Sequence, residues 1–135
     1  MSSSTVWVLA LVLGILGSGL IFGGRLPNGF RDRACQGRGW RRAFPNAPKD
    51  RIRAFLQVFV GAFAFRDSER LKFSPDDRIL DVYRAVYPSR WVPDSLELEA
   101  FASELENRFG VRLESLWNDQ LTLGEVFAAV EAKSA

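Results

Sequence analysis

The sequence predicts an all-α protein: one N-terminal membrane helix followed by a bundle of about four helices. Three observations predict it. Nineteen consecutive residues near the amino terminus carry no charge, apolar side chains beyond residue 50 recur at three-and-four spacing, and no useful stretch alternates polar with apolar. At 135 residues the chain has room for one small domain and its attachments. It contains no histidine and one cysteine. That excludes a Ser-His or Cys-His nucleophile pair, an imidazole metal site, an internal disulfide and a Cys-cluster zinc site, so the chain is not expected to be an enzyme. The formal net charge of +2 hides a division. Residues 25–53 carry nine Lys or Arg against two acids, and residues 54–135 carry nine against fourteen, so a basic collar precedes an acidic domain.

The uncharged run, Val6 to Gly24, would make roughly 28 Å of helix, about one hydrocarbon thickness. The preceding MSSST has no basic side chain and no small-x-small cleavage site follows, which favours an anchor over a secretory signal. Arg25, Arg31, Arg33, Arg38, Arg41 and Arg42 follow closely. The positive-inside rule then places the amino terminus outside and the remainder in the cytoplasm, as a single-pass protein of an inner or plasma membrane. Gly14 with Ser18 and Gly19 with Gly23 have small-xxx-small spacing, although glycines are common in membrane helices anyway. Residues 25–48 mix Arg with Gly, Pro and Asn without a period and read as a juxtamembrane linker. Its arginines are expected to attract anionic lipid headgroups of the bilayer, not nucleic acid. Trp7 and Trp40 read as interfacial belts, and Trp91 and Trp117 as core plugs. Cys35 reads as a reduced cytosolic thiol, with acylation as the alternative.

The cytosolic domain is expected over residues 49–135. Pro48 precedes Ile52, Phe55, Leu56, Phe59, Val60 and Phe63, the stripe of a core helix over about 49–64. Ser74-Pro75-Asp76-Asp77 carries a cap, a first-turn proline and two acids, predicting a helix over about 75–87 with Ile79, Val82, Tyr83 and Val86 on one face. A helix starting near Pro93-Asp94-Ser95 turns Leu98, Phe101, Ala102, Leu105 and Phe109 inward, and Gly110 ends it. Asp94 and Glu97 have the spacing of a capping box. RLESLW predicts a single turn, and Thr122 with Glu125 caps a last helix that buries Val126, Phe127 and Val130.

Residues 94–113, from Asp94-Ser95-Leu96 through an acidic amphipathic helix to Phe109-Gly110 and Val111-Arg112-Leu113, resemble the second helix of acyl and peptidyl carrier proteins. Phe109 and Gly110 fall fourteen and fifteen positions after Ser95, the family's spacing, and Leu121-Thr122-Leu123 lies near its Thr-capped last helix. The resemblance covers about residues 50–133. It implies an acyl-carrier-like bundle in which the helix over 75–87 is an addition to the first loop. It further implies 4′-phosphopantetheine on Ser95 holding an acyl or aminoacyl thioester, with Asp94 assisting the modifying transferase and its metal. Glu97, Glu99, Glu104 and Glu106 would then steer basic acyl-transferring or acyl-activating partner enzymes. The family's Gly before Asp-Ser is replaced by Val92-Pro93, and Tyr87 and Trp91 lie close by in sequence. The competing expectation is an unmodified adaptor, or a small subunit of a membrane complex, docking basic partners through the same acidic helix.

Overall fold

A computed structural model of the chain describes residues 26, 27, 29–87 and 96–134. The expected membrane span, Trp7, Trp91, Asp94 and Ser95 lie outside the described residues. Those described form an all-α bundle. Its α-helices are α1 (Gly37–Ala43), α2 (Lys49–Ala62), α3 (Ile79–Val86), α4 (Leu96–Phe109), α5 (Leu113–Leu116) and α6 (Leu123–Ser134), with a 3-10 helix over Asp67–Lys72 between α2 and α3. None of these is long and apolar enough to cross a membrane. No strand forms among the described residues; Arg78 and Thr122 make an isolated antiparallel bridge.

Helix α2 is the centre, as its apolar stripe predicts. Phe55, Leu56 and Phe59 are fully buried, and rings from other elements close on them. Phe101 of α4 meets Phe59 edge-on at 5.3 Å, Phe73 meets it edge-on at 5.1 Å, and Phe127 of α6 lies 5.4 Å from Phe55. Such tilted and edge-to-face pairs add to the area term that drives burial. The helix stops at Ala64, which adopts a left-handed φ of 58° while the Phe65 N–H donates to the Val60 carbonyl at 2.9 Å. Burial of Phe63 and Phe65 on either side holds that conformation, which favours glycine.

The segment read from the sequence as an irregular linker is folded onto the domain from residue 26 onward. It carries α1, and Trp40, expected at the membrane interface, is only 1% exposed. Its indole N–H donates to the Phe73 carbonyl at 2.8 Å, and its ring meets Phe127 edge-on at 5.7 Å. A seven-residue helix held by one large aromatic contains no repeating stripe, so periodicity could not reveal it. Arg33, another residue of this segment, grips both carboxylate oxygens of Asp77 at 2.6 and 2.9 Å.

That ion pair also explains why the helix expected over 75–87 begins only at Ile79. Asp77 accepts from the Ser74 N–H at 2.7 Å and Ser74 Oγ from the Asp76 N–H at 3.2 Å, so Ser74-Pro75-Asp76-Asp77 closes a turn. The backbone beyond it pairs with the start of α6. Ile79 donates to Leu121 at 3.0 Å, Leu123 to Asp77 at 2.9 Å and Gly124 to Pro75 at 2.8 Å. Gly124 permits this approach, because a Cβ there would lie 2.8 Å from the Pro75 carbonyl oxygen. Two expected helix ends do form: Gly110, at φ 69°, follows α4, and Thr122 Oγ accepts from the Glu125 N–H at 3.2 Å.

Candidate functional site

Helix α4 is fastened by Phe101 and Leu105, both fully buried, so its opposite face is fixed toward solvent. Glu97 and Glu99 occupy its first turn, where carboxylates favour the positive end of the helix dipole, and Arg108 occupies its last. Its first described residue, Leu96, is 80% exposed, an unusual setting for a large apolar side chain.

The four acids expected to form one docking face divide. Glu99, Glu104 and Glu106 are exposed. Glu97 is half-buried, and its carboxylate accepts a hydrogen bond from the Tyr87 hydroxyl. That bond ties the end of α3 to the first turn of α4. Glu106 stands 3.9 Å from Arg112 with both side chains mostly exposed, which stabilises little. The ring of Tyr87 lies 5.2 Å from that of Tyr83, whose own hydroxyl is buried and unpartnered among the described residues.

Beside the acids runs a shallow groove of about 220 Å³ between α4 and α5. Leu98, Ala102, Leu113 and Trp117 line it, with Glu99 and Glu114 at its edges. Trp117, expected as a core plug, is half-buried here and serves as one wall. The surface can therefore receive an apolar side chain flanked by cations. Among the described residues no group of His, Cys, Asp and Glu is placed to hold a metal ion.

A second arrangement gathers three cations of the basic stretch over residues 25–53. Arg41 of α1 meets Lys49 and Arg53 of α2 around one small pocket. Only the packing of α1 through Trp40 brings these cations together, and that contact was invisible to pattern.

No family model matches the chain, and no solved structure matches it. Among curated proteins it is similar to the propanediol dehydratase small subunit of Citrobacter freundii, 42% identical over 52 residues. The matched stretch is 38% of this chain and 29% of that protein, so the chain spans less than a third of the length of the relative it matches.

Proposed function

We propose that the chain is a membrane-anchored acyl-carrier-like protein that presents an acyl or aminoacyl thioester on a 4′-phosphopantetheine arm at Ser95. Residues 1–24 would anchor it, with the domain in the cytoplasm. The observation that carries this reading is the 80% exposed Leu96, the first described residue of α4 and next to Ser95 in sequence, on a helix whose outer face bears Glu99, Glu104 and Glu106. A hydroxyl at a helix start would suit an attached phosphodiester, because the free N–H groups and dipole there favour an anion. The arm supplies a thiol when bound. The chain itself supplies position: α4 is held rigidly by Phe101 and Leu105, while the exposed acids attract basic partner enzymes. Anchoring near a bilayer raises the effective concentration of the arm for partners there.

A second reading, the unmodified docking module or small subunit, draws on the Tyr87–Glu97 hydrogen bond, which brings an aromatic ring to the helix start. Intact-mass measurement after co-expression with a broad-specificity pantetheinyl transferase separates the two. A gain of one phosphopantetheine that Ser95→Ala abolishes is the expected result. An unchanged mass for the natural chain leaves only the docking role.

A further inference from the structure

Five cations on α1 and the start of α2 form no ion pair among the described residues. Arg38 and Arg42 lie on the face of α1 opposite the buried Trp40, Arg41 lies beside Trp40, and Lys49 and Arg53 lie one turn apart on α2. All five are exposed. Arg33, Arg51, Arg70 and Arg112 each have a carboxylate. Three of the five, Arg41, Lys49 and Arg53, line one pocket with about 50 Å³ of room. No acidic residue lines it, although Asp50 is next to Lys49 in the chain.

The floor of this pocket is rigid. It is formed by Trp40 and Ile52, which are 1% and 5% exposed, and the Trp40 indole is pinned by its hydrogen bond to Phe73. Like charges held around a concave apolar floor focus a positive potential there, and a bound anion relieves their mutual repulsion. Two guanidinium groups add planar donor forks that match the oxygens of a phosphoryl group. The space would hold a few waters or one tetrahedral oxyanion.

We infer that this pocket is a phosphate-binding site, recognising the phosphoryl group of a phosphomonoester or phosphodiester. Nucleic acid is disfavoured as the source, since the neighbouring indole is buried and cannot stack on a base. The inference stands whether or not Ser95 is modified.

The test uses the full chain, isotope-labelled, in nanodiscs of neutral phosphatidylcholine. Titration with inorganic phosphate should shift the signals of Arg41, Lys49 and Arg53 saturably, leave Arg70 and Arg112 in place, and not be mimicked by chloride at equal ionic strength. Arg41→Gln and Arg53→Gln, both exposed positions, should each weaken binding about fivefold with the thermal midpoint unchanged. Nanodiscs containing phosphatidylglycerol distinguish the sources. The same shifts there, competed by inorganic phosphate, assign the site to lipid headgroups, whereas shifts with inorganic phosphate alone assign it to soluble phosphate compounds. No saturable shift with either, or equal shifts with chloride, overturns the inference.

Discussion

Tyr83 buries its entire phenol, with 1% of the residue exposed, yet its hydroxyl finds no partner among the described residues. A buried donor left unsatisfied costs about 1–3 kcal/mol relative to its hydrated state. Tyr83→Phe removes the group and keeps the ring, so it should raise stability by about 1 kcal/mol. A higher urea midpoint at unchanged slope would show it. Its neighbour Tyr87, half-buried at the end of α3, donates to Glu97. Sequence reading identified both tyrosines and all four acids of α4. What it could not supply was the pairing, because a hydrogen bond between residues ten positions apart depends on how two helices meet. Hence Glu99, Glu104 and Glu106 stand exposed as expected from helical spacing, while Glu97 does not. Asp94 and Ser95, on which the carrier reading turns, lie outside the described residues.

Helices long enough to repeat an apolar stripe were legible. Residues 52–60 announced α2, and Phe101 with Leu105 announced α4, because burying one face requires that spacing whatever the surroundings. Elements set by tertiary contacts were not. Ser74 and Pro75 have the chemistry of a helix start, but Arg33, more than forty residues away, claims Asp77, and the backbone between Pro75 and Ile79 pairs with α6 instead. Gly124 tests that junction. Alanine is the better helix former, by about 1 kcal/mol, so propensity alone says Gly124→Ala should stabilise α6. The added carbon would meet backbone oxygen at 2.8 Å, and forced overpacking costs about 1–3 kcal/mol. The expected outcome is a net loss of stability, measured as a lower thermal midpoint.

Across the whole molecule, the basic and acidic halves inferred from composition are joined more closely than the word linker suggests. Residues 26–48 contribute Leu26, Trp40 and Arg33 to the domain, with both apolar side chains in the core and the third holding Asp77. Removing a buried tryptophan side chain alone costs about 3–5 kcal/mol, a large part of the 5–15 kcal/mol that typically holds a domain together. A chain beginning at Lys49 should therefore lose most of its cooperative melting transition in circular dichroism, while one beginning at Leu26 should retain it. The bridge between Arg78 and Thr122 carries a kinetic consequence. It ties positions forty-four residues apart, and closing so long a loop costs roughly 3 kcal/mol of chain entropy before any contact repays it. Contacts local to α2, such as Phe59 with Phe63, close far shorter loops, so the Arg78–Thr122 junction is expected among the later contacts to form during folding.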